Sequence, residues 1–365
     1  MHYTVHKDPH LDSLVQSDLD VICQRLQSSF DAVEGIILVG GFGRGEGGLV
    51  LKGDRYRPEN DYDLEMITPN IIDTNKLKSI EKELAEQLGV RWVHIENRSL
   101  QALPKLPFTQ YVFDLKYGGH VVYGPTQLLN AIPNMNPAFM PIAEGEKLLH
   151  TRLWCFLGAF TDSFCHRQPT PAEASFLISQ MSKALLAICD AELMLRGAYQ
   201  VSYQNKVQHF VSRVHPSNAL QDLAQWALQY KLHPETAPHP DPLPLFYNTR
   251  NHFLDCLFRF AQTVRRCRFD SWQSYAAHFH GWVLPNPRID RIKRIVKMLL
   301  GRSSPDSRYI DMVRLKLLMA VAQNPEHRNM YLPLCRQIAG RYQTEDTQSW
   351  DWETLRLQTL TMLGI

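Results

Sequence analysis

Paired cysteines, long apolar runs and net charge are all scarce in this 365-residue chain. Its seven cysteines are odd in number, widely spaced and contain no C-x-x-C pair. That excludes a disulfide framework and a zinc knuckle as organising devices. No stretch of about 18 uncharged apolar residues occurs, and residues 1–8 hold no apolar core of signal-peptide length. A reducing cytoplasm without membrane contact is the expected setting. With 39 Lys+Arg against 37 Asp+Glu, the net charge of +2 excludes a protein whose whole surface tracks nucleic acid. No internal repeat is visible.

What is present is an ordinary globular composition, 44% hydrophobic and 21% charged, long enough for two domains with real cores. The charge divides along the chain. Residues 1–145 carry 13 Lys+Arg and 19 Asp+Glu, which leaves 26 and 18 for residues 146–365. An acidic front is joined to a basic back.

The front reads as alternating elements. Leu11, Leu14, Val15, Leu19, Ile22 and Leu26 fall at helical spacing, and Ile36-Ile37-Leu38-Val39 is a continuous apolar run of the kind found in buried strands. Residues 61–67 alternate as a strand with one acidic face, and a helix is expected over 73–88. Further strands are expected at Arg91–Glu96, Tyr111–Lys116 and His120–Tyr123. Beyond about 145 the pattern predicts only helices, at 146–165, 172–197, 203–213, 217–230, 250–266, 288–300, 307–323 and 351–363. Residues 233–244 hold five prolines and are expected to form a non-helical loop or linker. The fold class expected is α+β: a mixed-sheet domain over 1–145, then a helical region over 146–365 that could be split near 233–244.

The chemistry concentrates in the front. Asp61 and Asp63 lie two apart on a predicted strand, so their carboxylates leave one face about 6–7 Å apart along the chain. Mg²⁺ takes hard oxygen ligands and keeps room for substrate phosphates, which that pair allows. Just after the buried strand comes Gly40-Gly41-Phe42-Gly43-Arg44-Gly45-Glu46-Gly47-Gly48. There, missing side chains let backbone N–H groups approach an anion, and a helix opened by Gly41 adds a favourable partial charge. Arg44 stands where a guanidinium can reach phosphate. Asp114, inside the apolar run Tyr111–Lys116, needs a cationic partner if ionised. Three carboxylates around two metal ions form an arrangement for in-line displacement at phosphorus, with Asp114 as ligand, general base or both.

Gly40-Gly41, then Asp61-Tyr62-Asp63-Leu64, then Asp114, resembles the signature of the DNA polymerase β-like nucleotidyltransferase superfamily over about residues 30–125. Phe42–Glu46 is similar to the corresponding run in small bacterial members with helical C-terminal regions. The turn Gly197-Ala198-Tyr199 extends the likeness to about residue 213, although Tyr199 and Tyr203 read as packing residues. The resemblance implies transfer of a nucleoside monophosphate from a nucleoside triphosphate, ATP favoured, to a hydroxyl with release of pyrophosphate. It implies two Mg²⁺ ions on Asp61, Asp63 and Asp114, and a triphosphate held by Gly40, Gly41 and Arg44. Two departures stand out: Gly41 replaces the more usual serine, and nineteen residues separate it from Asp61, with 49–58 reading as an inserted hairpin or loop.

Two other functions fit the same residues. A non-catalytic nucleotide-binding module is one. The other is a sugar-nucleotide glycosyltransferase using Asp-x-Asp, which does not call for the glycine turn. The acceptor is open between a small molecule, a protein and tRNA. Residues 285–316 have nine basic side chains against three acidic ones, a solvated helix face, a steering surface for an anionic acceptor such as a tRNA end or a phosphorylated metabolite, or, on weaker grounds, a membrane-surface helix. Of the histidines, His278 and His280 do not share a metal-binding face, and His2, His6 and His10 are expected on a loose terminus.

Overall fold

Apolar on both sides, Ile36-Ile37-Leu38 forms the strand that a sheet must bury on both faces, and in the computed structural model β1 (Gly35–Leu38) is fully buried. The structure describes residues 2–52, 55–58, 61–282, 306–343 and 346–363. The fold is α+β. The chain divides into two compact units. The first comprises Met1–Met140, Gly197–Arg213 and Leu228–Ala237, and the second Pro141–Arg196, Val214–Ala227 and Pro238–Ile365.

In the first unit, α1 (Pro9–Ser29) precedes β1, and a single helical turn, α2 (Gly40–Gly43), follows it. A hairpin of β2 (Leu49–Lys52) and β3 (Arg55–Pro58) fills the expected insertion. Arg57 ties it down by donating to the Leu88 carbonyl at 2.6 Å. β4 (Asp61–Thr68), α3 (Thr74–Leu88) and β5 (Trp92–Ser99) form a parallel crossover, and α4 (Gln110–Gly118) leads to β6 (His120–Tyr123). The sheet order is β5-β4-β1-β6, antiparallel at β4/β1 and β1/β6.

The period of two along each strand sorts the side chains into layers. Ile36, Leu38, Tyr62, Leu64, Met66, Val93 and Ile95 pack against Val15, Leu19 and Ile22 of α1 and Leu77, Ile80 and Leu84 of α3. On the opposite face Ile37 and Ile67 pack with Val112 and Leu115 of α4. Asp61, Asp63 and Glu65 alternate onto that second face.

One strand expectation is corrected. Tyr111–Lys116 is helical, part of α4, so Asp114 lies on a helix. The Thr109 side chain caps α4 by accepting from the Val112 amide at 3.2 Å, and Val112 and Leu115, three apart, bury one helical face. The apolar run has the composition of a strand but the spacing and cap of a helix.

Among its described residues the second unit contains helices and no strand. They include α5 (Ala143–Arg152), α6 (Trp154–Ala159) and α7 (Pro171–Leu195), which opens with a full capping box between Thr170 and Glu173. α8 (Tyr203–His209) belongs to the first unit, whereas α9 (Asn218–Leu232) contributes to both. α10 (Pro242–Arg265) begins inside the proline-rich stretch, correcting the expected loop through Pro244. Asp241 caps it, and Pro242 and Pro244 sit in the first turn, where a missing N–H costs nothing. α11 (Trp272–His278) and a helix at Pro325–Ala339 were not expected, the latter because Pro333 interrupts its pattern. The helices expected at 307–323 and 351–363 are found at Asp306–Val321 and Trp352–Leu363. The helix expected at 288–300 and most of the basic run 285–316 lie outside the described residues. Of that run, Arg314 donates to the Phe279 carbonyl, and burial pushes the Lys316 amine down to about 8. Both pack into their own unit, whereas Arg308 of the same run is exposed, its guanidinium over the Tyr342 ring.

Candidate functional site

β1 ends at Leu38, and the chain must turn sharply to clear the acids of β4 beside it. Gly40 makes the turn with φ +66°, and a Cβ built on it would lie 2.7 Å from Asp63 Oδ2. A glycine is required there both by the left-handed backbone and by the approach of a carboxylate. The Val39 amide, donating to the Asp63 carbonyl at 2.9 Å, fixes the two chains in register.

The second face of β4 therefore presents Asp61 and Asp63 beside the glycine turn. Burial pushes the Asp63 carboxyl up to about 6, and the neighbouring Asp61 charge adds to the rise; His94, Lys231 and Arg44 oppose it. Glu65, next on the same face, is differently placed. It is wholly buried, Arg98 Nε lies 2.8 Å from Oε2, and the Tyr111 hydroxyl donates to Oε1. Burial raises its pKa while Arg98 and Tyr111 oppose the rise.

The parallel register sets Asp63 opposite His94 and Glu65 opposite Glu96. Val93 and Ile95 belong to the α1/α3 layer, so His94 and Glu96 share the acidic face, exposed at the sheet edge, with His94 Nε2 3.4 Å from Glu96 Oε1. The alternation in Trp92-Val93-His94-Ile95-Glu96 was the signal for these two residues, once β5 is paired with β4.

Basic groups gather on the other side of the glycine turn. Around the Tyr203 ring stand Arg44 at 4.6 Å, Lys206 Nζ at 5.2 Å and Lys231 Nζ at 5.8 Å from the centroid. Lys206 also lies 4.8 Å from the Tyr199 ring. Burial works against the Arg44 charge, but Tyr203, Asp114, Glu46 and Tyr199 outweigh it and raise its pKa. Glu46, from the glycine-rich loop, accepts from the Ser202 hydroxyl at 2.8 Å and the Tyr203 amide at 2.9 Å, anchoring the start of α8. Lys206 and Lys231 had no sequence signal: they lie more than 140 residues beyond Asp63 and reach the first unit only through the fold.

Asp114 is held by Tyr199, whose hydroxyl lies 3.0 Å from both carboxylate oxygens, and it acts on Arg44. The structure thus brings Asp61 and Asp63 together with Gly40 and places Asp114 with Arg44 and Tyr199. Among the described residues the three acids do not form a group whose ligand atoms all lie within 4.8 Å. Gly41 has ordinary room for a Cβ, its nearest neighbour being the Glu46 carbonyl at 3.4 Å. Beside Arg44, a cavity of about 450 Å³ is lined by Gly43, Phe113, Tyr117, Tyr199, Val201 and Asn205, among others.

Two hard carboxylates on one strand face, one of them raised in proton affinity by burial and by the charge of the other, are a donor set suited to Mg²⁺. No helix among the described residues is long and apolar enough to cross a membrane. No protein-family model matches the chain, and no curated protein does. Among solved structures the chain is similar to spectinomycin adenyltransferase AAD(9) from Enterococcus faecialis, crystallised with ATP and spectinomycin, at 10% identity and a TM-score of 0.43 over 66% of this chain and 98% of that one.

Proposed function

We propose that the chain is a nucleotidyltransferase, moving a nucleoside monophosphate from a nucleoside triphosphate, with ATP as donor, to a hydroxyl acceptor. One observation carries the reading: Asp63 lies half-buried beside Asp61 yet within the field of Lys231 and Arg44. Carboxylates for a divalent ion and cations for a polyphosphate thus meet at one glycine turn.

Asp61 and Asp63 would hold Mg²⁺, which when bound would neutralise charge on the phosphates and lower the proton affinity of the attacking hydroxyl. Arg44, Lys206 and Lys231 bind the triphosphate, and the Gly40-Gly41 backbone lets it approach. The acceptor oxygen bonds to the α-phosphorus, the bridge from α to β breaks, and pyrophosphate leaves. Glu96, exposed on the acidic face with His94 Nε2 3.4 Å from its Oε1, takes the hydroxyl proton. Asp114 positions Arg44 and Tyr199 instead of serving as the third metal ligand. A cavity near 450 Å³ is the size that takes a small molecule, which favours such an acceptor over tRNA.

The test incubates purified protein with Mg²⁺, each α-³²P-labelled nucleoside triphosphate and cell extract, and separates labelled protein, RNA and small molecules. Label in one fraction, lost in Asp63→Asn, supports the reading. Equal labelling by Asp63→Asn rejects it. Triphosphate binding without label in any fraction favours a nucleotide-binding module.

A further inference from the structure

The N-terminal segment is not loose. Asp12 accepts from the Tyr3 and Thr4 amides at 2.9 and 3.0 Å and holds the His2 ring at 2.8 Å, while Thr4 pairs with Gly47. The Lys7 amide, donating to the Thr4 carbonyl at 3.3 Å, then closes a turn around His6, with Lys7 at φ +53°. A second fixed turn follows α9. The His233 amide donates to the Gln229 carbonyl at 2.7 Å, the Ala237 amide donates to the His233 carbonyl at 3.0 Å, and Ala237 is buried. Both segments belong to the first unit, and together they present His6, His233 and Glu235 to one another.

We propose that His6, His233 and Glu235 form a binding site for a zinc ion. Among the described residues they are the one group of three His, Cys, Asp or Glu whose ligand atoms all lie within 4.8 Å of one another. His6 Nε2 and His233 Nδ1 stand 3.8 and 4.0 Å from the same atom, Glu235 Oε1. These separations are too long for hydrogen bonds. They are close to the spacing of about 3.3 Å between ligands that share a tetrahedral zinc at about 2.0–2.1 Å, so small side-chain rotations complete the site. The rings cross at 77° with centroids 5.2 Å apart, so neither stacks over the other's nitrogens. Two imidazoles and one carboxylate suit Zn²⁺ over Mg²⁺ or Ca²⁺. The partial exposure of His6 and Glu235, 28% and 38%, leaves a side open for water as the fourth ligand. Bound there, the ion fastens the turn after α9 to the segment paired with the glycine-rich loop.

The experiment uses untagged full-length protein, stripped of metal and titrated with Zn²⁺ against a chromophoric chelator of micromolar affinity. One equivalent should bind, and His6→Ala and His233→Ala should each weaken binding about tenfold or more, with Glu235→Gln weaker than the parent. Circular dichroism of the metal-free variants should match the parent. If His233→Ala fails to fold, His6→Ala, in an exposed loop, decides. No bound zinc in the parent, or equal binding by the His6→Ala/His233→Ala double variant, overturns the site.

Discussion

At the far half of β4, Glu65 is wholly buried with Arg98 Nε at 2.8 Å and the Tyr111 hydroxyl donating to it. At the near half, Asp61 and Asp63 leave the same face, and burial with mutual repulsion lifts Asp63 to about 6. Glu65 sits in a local ion pair, whose partner Arg98 is supplied by the neighbouring strand. Asp63 instead has the like charge of Asp61 beside it and faces its cations, Lys231 and Arg44, from elsewhere in the unit. A strand that pairs one acid and strains the next separates support from chemistry by two residues. The strained end is where a ligand has most to gain.

The sharpest way to break this contrast is to neutralise each acid in turn. Asp63→Asn should cut nucleotidyl transfer by about 10²–10³-fold or more, the scale of losing one preorganised group at a developing charge, without lowering the unfolding midpoint. Glu65→Gln should do the reverse. It leaves Arg98 facing a neutral amide, and breaking a buried pair costs about 3–5 kcal/mol. Because Arg98 is 26% exposed, a loss near the lower figure is expected in urea unfolding, with KM and kcat of the remaining folded protein little changed. If the two variants behave alike, the division of β4 fails.

A smaller effect follows from protons. Asp63 has its folded pKa raised from an ordinary 3.8 to about 6, so between these values the native state holds more proton than the unfolded chain. Stability therefore falls as pH rises through that window and is flat above it. The full shift corresponds to about 3 kcal/mol, and partial solvation reduces it to about 1–3 kcal/mol. Urea unfolding at pH 4.5 and 7.5 without divalent ions should show this slope in the parent and not in Asp63→Asn. Mg²⁺ should remove it at pH 7.5 by binding the ionised pair.

The β1–β4 core, α1, α3 and the acid pair were legible because each depends on local periodicity: Leu19 and Ile22 at helical spacing, Asp61 and Asp63 at strand spacing. Asp114 was misplaced on a strand because apolar composition does not distinguish a short strand from a capped turn of helix, and Thr109 decided it. His94 and Glu96 needed the knowledge that β5 runs parallel to β4. Lys231 and the His6–His233–Glu235 group could not be read, since Lys231 meets Asp63 and His6 meets His233 across about 170 and 230 residues, and no local pattern records such pairings. The proline-rich stretch misled at its end because Asp241 makes Pro242 and Pro244 a helix start.

The finest test of the near half of β4 lies in the glycine turn. Gly40 meets Asp63 Oδ2 at 2.7 Å in a left-handed backbone, whereas Gly41 has room for a Cβ. Gly40→Ala should cost about 1–2 kcal/mol from the backbone alone, together with a displaced Asp63 and lost transfer. Gly41→Ser should change stability by no more than about 0.5 kcal/mol. Since serine is the more usual residue in the superfamily that the motif resembles, it should keep or improve the KM for the triphosphate. If Gly41→Ser instead abolishes triphosphate binding while the protein stays folded, the backbone at 41 approaches the ligand more closely than a side chain permits. The departure from serine would then be a constraint of this site and not a neutral replacement.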